Sequence, residues 1–352
     1  MKKVISLVLA LALSLSVFTA CAPKAKDDVN AVTPKKIAMI CDPVGVNPFL
    51  TQVKDKLEEM SKDPAYSFTY SVMECSDDTA WGENVRASVE EGYDLILGVG
   101  WQVATPLAEV AKQFPDKAQY VCIDTVCDAE NVKSYIFKPQ EAAYLIGAVA
   151  ALVSADAGKP VGPFGGVHAN PGEGSFEWRY GYMEGAKAIN PDIKTSDFIF
   201  NYTKSYTDAP IAKELATQQA AQGCFFINAA SAVADFGTFE AAKEKGFYTS
   251  GQDADQTSPD NKNILTTQVK YTGVVTEMAI KEFFSEGGIV PGTVSLGLKD
   301  GAVGAIYITD DGVNPRNTEI LTDEIVAKVK ALADKIIAGE IVVTVPLEED
   351  YK

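Results

Sequence analysis

The chain has 352 residues and a formal net charge of −17, with 47% hydrophobic and 22% charged residues. That length exceeds one small core and fits two domains, and the composition is that of an ordinary globular protein. The acidity argues against a nucleic-acid partner, and the single histidine, His168, excludes most histidine metal sites and disfavours a Ser-His-Asp or Cys-His catalytic arrangement.

At the amino end, Lys2 and Lys3 precede an apolar run from Val4 to Phe18. A charged start, an apolar stretch of about 7–15 residues and small residues before a cut describe a secretory signal peptide. The run is shorter than the ~20 apolar residues of a membrane-spanning helix. Its ending, Val17-Phe18-Thr19-Ala20-Cys21, resembles the bacterial lipobox, with Phe18 where Leu is usual. The expectation is a signal peptide over 1–20, a lipid on Cys21 and a polar tether over 21–35. The protein would then sit on the extracytoplasmic face of the cell membrane, held by its lipid. The alternative is a soluble secreted protein cut nearby, with Cys21 an ordinary thiol. The five other cysteines are odd in number and do not read as a disulfide framework. Cys41, Cys122 and Cys224 fall in or at the ends of apolar runs, where Cys acts as a small hydrophobe. No metal or cofactor is expected.

From Lys36 the pattern becomes regular. Ile37 to Ile40 reads as a buried parallel strand ending in an Asp42-Pro43-Val44-Gly45 turn, and Phe49, Leu50, Val53, Leu57 and Met60 share one helical face. Strands follow at Phe68–Val72, Tyr93–Gly98 and Gln119–Ile123, with helices at Val85–Glu91 and Pro106–Phe114 between them. The alternation restarts with a helix over Gln140–Val153, a strand over Val161–Gly165 and a helix over Ser175–Ile189, stopped by Asn190-Pro191. Strands at Phe198–Asn201, Phe225–Asn228 and Phe247–Ser250 are separated by helices at Ala209–Gln222 and Thr238–Lys245. Ile264–Val269 reads as a strand and Tyr271–Glu286 as a long helix. Val294–Leu298 and Ala302–Ile308 read as a hairpin, Thr322–Ala338 as a helix and Ile341–Val345 as a strand. Such alternation predicts an α/β architecture with parallel sheets and helices on both faces. The expected arrangement is two doubly wound lobes joined by a hinge, lobe 1 from 36–138 and 258–320, lobe 2 from 139–257 and 321–352.

In open parallel sheets, ligands bind beyond the carboxyl ends of the strands. Asp42, Gly100-Trp101, Asp124, Asn228 to Ser231, and Asp253 with Asp255 all fall there. A cleft holding carboxylates and aromatic rings suits a neutral ligand rich in hydroxyls and flat rings. Gly98-Val99-Gly100 lacks the third glycine and the lysine of a phosphate-binding fingerprint. Taken singly, each Asp also reads as a turn or helix cap. His168 lies in a Gly/Asn/Pro loop, where a ligand contact is the lesser reading.

Several blocks together resemble the BMP lipoproteins, the purine-nucleoside-receptor-like substrate-binding proteins of ABC transporters. They are Tyr93-Asp94-Leu95-Ile96, Glu141-Ala142-Ala143-Tyr144-Leu145-Ile146-Gly147, Gly181-Tyr182-Met183-Glu184-Gly185-Ala186, Ser205-Tyr206-Thr207-Asp208, Gly251-Gln252-Asp253-Ala254-Asp255 and Gly297-Leu298-Lys299-Asp300-Gly301. The resemblance covers roughly Lys36 to Leu347. It implies the type I periplasmic-binding-protein fold and a nucleoside ligand, typically a purine one, delivered to a membrane permease by a monomer. It also implies that Asp42 and Asp124 meet the base edge and that Phe49 and Tyr206 sandwich the ring. The backbone at Ala230 would approach the sugar, Asp253 would accept from the ribose hydroxyls, and Lys270 would donate to the sugar or fix that carboxylate. Trp178 lies near a family Phe and reads as core or cleft wall. The first loop departs from the family pattern, as do Ala229-Ala230-Ser231 and Gln252. A sugar or other hydroxylated small molecule is the rival ligand, and a signalling receptor the rival role. An enzyme is not expected, because a hydrolase needs a poised acid or base and usually a metal.

Overall fold

Runs of apolar residues buried on both faces form the strands of this protein, for which a computed structural model describes residues 33–351. The expected signal peptide, Cys21 and most of the tether lie outside the described residues. Ile37 to Cys41 are completely buried in β1 (Lys35–Cys41), the signature of a strand covered by helices on both sides. In chain order there follow α1 (Pro48–Ser61), β2 (Phe68–Glu74), α2 (Asp78–Glu90), β3 (Leu95–Val99), α3 (Ala104–Gln113), β4 (Gln119–Ile123) and β5 (Val132–Phe137). Next come α4 (Pro139–Asp156), β6 (Phe164–His168), α5 (Glu173–Ile189), β7 (Phe198–Tyr202), α6 (Ala209–Ala221), β8 (Phe226–Ala230), α7 (Asp235–Lys245), β9 (Tyr248–Asp253) and β10 (Ile264–Lys270). The described chain closes with α8 (Thr272–Phe283), β11 (Gly292–Leu296), β12 (Val303–Ala305) and α9 (Asp323–Ile337). Helix starts obey local chemistry. Asn47 caps α1 by accepting from Phe49 N at 3.0 Å with Pro48 at the first position, and Asp208 caps α6 by accepting from Ile211 N at 3.1 Å.

The strands form two six-stranded sheets, β11-β5-β4-β3-β1-β2 and β12-β10-β9-β8-β6-β7. All pairs are parallel except β12 against β10. The architecture is α/β with two doubly wound lobes, as the alternation predicts. Three segments carry the chain between the sheets: Lys138 after β5, Tyr271 after β10, and 297–302 between β11 and β12. They are tied to one another, Lys138 N donating to Leu296 O and Tyr271 N to Ala302 O, each at 2.8 Å. Glu141, in the first turn of α4, accepts from Leu298 N at 2.8 Å.

Four expectations need correction. Ile264–Lys270, assigned above to lobe 1 within 258–320, is a strand of the second sheet, because it pairs with β9. β12 lies there too. The 294–308 region is therefore no hairpin: β11 pairs with β5 and β12 with β10, and the short turn Leu298–Asp300 carries the chain across. Ile341–Val345, expected as a strand, forms no strand and has no ladder partner. Strand β5 escaped the reading because Lys133 and Ser134 interrupt its apolar run.

Helices α4 and α5 cross at backbone contact. A Cβ on Gly147 would lie 1.9 Å from Tyr182 O, and one on Gly185 would lie 1.8 Å from Tyr144 O. Gly181 meets Gln140 O in the same way, at 2.2 Å. Small residues are what allow two helices this close. Gly185→Ala should destabilise by about 1–3 kcal/mol or more through overpacking. Gly82, inside α2 with open space around it, gives the opposite sign, since Ala there should stabilise by roughly 0.5–1 kcal/mol. Denaturant melts of both variants check this pair of outcomes, and an unchanged midpoint for Gly185→Ala would contradict the crossing geometry.

Candidate functional site

The carboxyl ends of strands from both sheets face one cleft of about 870 Å³. Asp42 is the first residue after β1, Asp124 the first after β4, Ala230 the last of β8, Asp253 the last of β9 and Lys270 the last of β10. Phe49 comes from the first turn of α1. Tyr206 comes from the loop between β7 and α6, where Ser205 Oγ accepts from Thr207 N and Asp208 N, each at 3.1 Å. All seven candidate residues line this cavity. Trp178 lines it too while being only 4% exposed, so it is wall and core at once.

Lys270 Nζ lies 2.6 Å from Asp124 Oδ1, joining the end of the second sheet's β10 to the end of the first sheet's β4. Three rings surround this ammonium, Phe137 and Trp178 with centroids at 5.4 Å and Phe49 at 5.9 Å. Burial opposes the charge on Lys270, yet the Asp124 and Asp253 carboxylates outweigh it and raise the pKa. Asp253 is 5% exposed. Burial pushes its carboxyl up to about 7, with Lys270 pulling down and the Asp124 charge pushing up. Burial also raises Asp42, opposed by Gln102 Nε2 donating to Oδ2 at 2.6 Å.

The backbone is strained where it meets the cavity. Asp124 (φ 90°), Asp253 (φ 68°) and Ala232 (φ 54°) all occupy the left-handed region. Each such residue costs about 1–3 kcal/mol, and strain of this kind clusters at ligand clamps. It turns the chain sharply at the strand ends and presents side chain and amide to the cleft.

Other residues sort differently. His168 is completely buried within β6, its Nε2 3.0 Å from Asn228 Oδ1, and Asn228 Nδ2 donates to Ser250 Oγ at 2.9 Å. Burial, then the Arg179 charge, lowers the His168 pKa to about 3. It is a neutral core histidine, and Asn228 belongs to its network rather than to the cleft. Asp255 shapes a turn, accepting from Thr257 N at 2.9 Å and Val313 N at 2.7 Å. The sequence reading did not single out Gln102, Asn170, Ser175 or Glu177, which also line the cavity. The strand-end rule reaches Asn170, just past β6. Glu177, one turn into α5, gives no such signal. Among the described residues no group of His, Cys, Asp and Glu is arranged to hold a metal ion, no helix is long and apolar enough to cross a membrane, and Cys41, Cys75, Cys122, Cys127 and Cys224 are free and buried.

A family model described as "ABC transporter substrate-binding protein PnrA-like" matches residues 37–346. Basic membrane protein A1 of Borrelia garinii subsp. bavariensis is 31% identical over 304 residues, covering 84% of this chain and 82% of that protein. Basic membrane protein A of Borreliella burgdorferi is 30% identical over 282 residues, covering 77% of each. Among solved structures, an ABC transporter system solute-binding protein from Aeropyrum pernix K1 superposes with a TM-score of 0.74 at 25% identity, covering 90% of this chain and 95% of that one.

The electrostatics of Asp253 set a pH dependence. In the unfolded chain an Asp releases its proton near 3.9; in the folded protein Asp253 holds it to about pH 7. Between those values the folded state binds the extra proton, so this group lowers stability as pH rises from about 4 to 7. Asp253→Asn removes that contribution. Urea melts of the ligand-free parent and variant should show the variant gaining relative stability from pH 5 to pH 8. Parallel profiles would mean that Asp253 does not titrate in this window.

Proposed function

The chain belongs to the PnrA-like family of ABC transporter substrate-binding proteins, and from that premise we propose that it captures a nucleoside, in first place a purine one, in the inter-lobe cleft. It then delivers the nucleoside to a membrane permease. The family is extracytoplasmic, and its members are solute-binding proteins rather than enzymes. The observation that carries the nucleoside reading is the convergence of Asp42, Phe49, Asp124, Tyr206, Ala230, Asp253 and Lys270 on one cavity. In this reading Asp42 and Asp124 accept from the base edge, while Phe49 and Tyr206 cover the two faces of the ring. The strained turn after Ala230 brings backbone amides to the sugar. Asp253 accepts from the ribose hydroxyls, and its raised pKa makes the ionised, accepting form something a hydroxyl-rich ligand stabilises. Lys270 holds the carboxylates in place. Among the described residues lining the cavity, one cation faces Asp42, Asp124, Glu177 and Asp253. That balance disfavours a phosphorylated ligand and supports a neutral one. The protein works as a monomer tethered through a lipid on Cys21.

Calorimetry of ligand-stripped protein against purine nucleosides, pyrimidine nucleosides, nucleotides and sugars tests this. Purine nucleosides should bind most tightly and nucleotides far more weakly; tight binding of a sugar alone would overturn the reading. Hydrogen bonds to a charged group contribute ~1.5–3 kcal/mol each, so Asp253→Ala should weaken nucleoside binding by about 10²- to 10³-fold or more. It should also abolish most of the preference for ribo- over 2′-deoxynucleosides. For the anchor, Cys21→Ser protein should leave the membrane fraction; protein that stays there would exclude lipidation at Cys21.

A further inference from the structure

Gln52, in the second turn of α1, is outside the set of residues assigned to the ligand above. Its Nε2 lies 3.0 Å from Pro48 O in its own helix, 2.9 Å from Asp253 O and 3.1 Å from Lys270 O. The last two carbonyls end β9 and β10, neighbouring parallel strands of the second sheet. α1 packs with the first sheet, against α8 and β2. One primary amide with two hydrogens thus bridges the lobes, shared among three carbonyls. Two further facts fix the same spot. Thr272 Oγ1 donates to Phe49 O at 2.7 Å, so the crossing after β10 is tied to the ring-bearing turn. Asp253, whose carbonyl Gln52 holds, is in the left-handed region at φ 68°, a conformation that needs support from its surroundings.

We propose that Gln52 is a positioning residue of the cleft. Its amide sets the separation between Phe49 on the first lobe and the Asp253–Lys270 pair on the second, and thereby stabilises the closed arrangement before ligand arrives. The proposal rests on the reading that Phe49 and Asp253 both contact the ligand. The physical logic is population arithmetic. Apparent affinity is the intrinsic affinity scaled by the fraction of molecules already in the binding-competent state. Loss of the inter-lobe bonds lowers that fraction without removing any side chain that meets the ligand. The amide carries no charge, so it brings no titration of its own to this contact.

The test uses Gln52→Met, which keeps the length and removes both donors, and Gln52→Glu, which keeps the shape and loses the amide hydrogens. Nitroxides at Glu109→Cys on α3 and Glu214→Cys on α6, both exposed, report the inter-lobe distance by pulsed electron resonance in a Cys21→Ser background, the five cysteines among the described residues being buried. In the ligand-free state both variants should shift to longer distances than the parent. Guanosine and inosine should bind roughly 5- to 100-fold more weakly, the equivalent of losing two neutral hydrogen bonds. Unchanged ligand-free distances in the folded variants would overturn the proposal, even with weakened binding, because a purely local packing role predicts that pattern. Should Gln52→Met fail to fold, Gln52→Glu decides alone. A parent protein that binds no nucleoside defeats the functional reading instead, while the ligand-free distances still decide the role of Gln52.

Discussion

The ion pair between Lys270 and Asp124 bridges the ends of two strands in two different sheets, and the cleft is organised around it. Burying two charges is expensive, and removing one partner from such a pair leaves the other uncompensated. The cost is offset here by short-range attraction and by the three ring faces of Phe49, Phe137 and Trp178 around the ammonium. Those rings come from the start of α1, the end of β5 and the second turn of α5. A single cation therefore gathers groups from both lobes. It bonds Asp124 directly and acts on Asp253 only through its charge. That division explains why burial dominates the proton affinity of Asp253.

Parallel strands end in step, so a helix-covered sheet exposes its polar chemistry only at one edge. Two sheets facing each other there produce a cavity with carboxylates from β1, β4 and β9 and a lysine from β10. The left-handed residues Asp124, Ala232 and Asp253 are the local cost of that arrangement. The neutral His168–Asn228–Ser250 chain runs across β6, β8 and β9 in the interior of the second sheet, which also buries Thr249, Thr266, Thr267 and Gln268. It gives buried polar groups partners without drawing water inward.

Much of this was legible from local pattern, and the failures have physical causes. Apolar runs such as Ile37–Cys41 and Leu95–Val99 announce two-sided burial, and the strand-end rule picks out Asp42, Asp124 and Asp253 from their neighbours. What periodicity cannot convey is which sheet a strand joins. Ile264–Lys270 and β12 join the second sheet, and β11 and β12 do not pair as a hairpin, because pairing is decided by long-range packing. Glu177 and Gln52 sit on helices whose faces look ordinary, and their relevance appears only when helix ends are placed against strand ends. The family blocks acquire reasons in three dimensions. Gly147, Gly181 and Gly185 mark the α4–α5 contact. Glu141 and Gly297 mark the crossing, where a Cβ on Gly297 would lie 2.3 Å from Glu141 Oε2.

The triple passage of the chain between the sheets bears on how the molecule can be assembled. The sixth strand of the first sheet, β11, is synthesised after ten others, five of them belonging to the second sheet. Any amino-terminal fragment ending before Gly292 leaves β5 with a bare hydrogen-bonding edge, the kind of surface that pairs with other chains. Neither lobe is a contiguous stretch of sequence, so neither can be excised by two cuts. A polypeptide emerging vectorially cannot finish its first lobe until most of the second has emerged, so the two halves reach completion almost together.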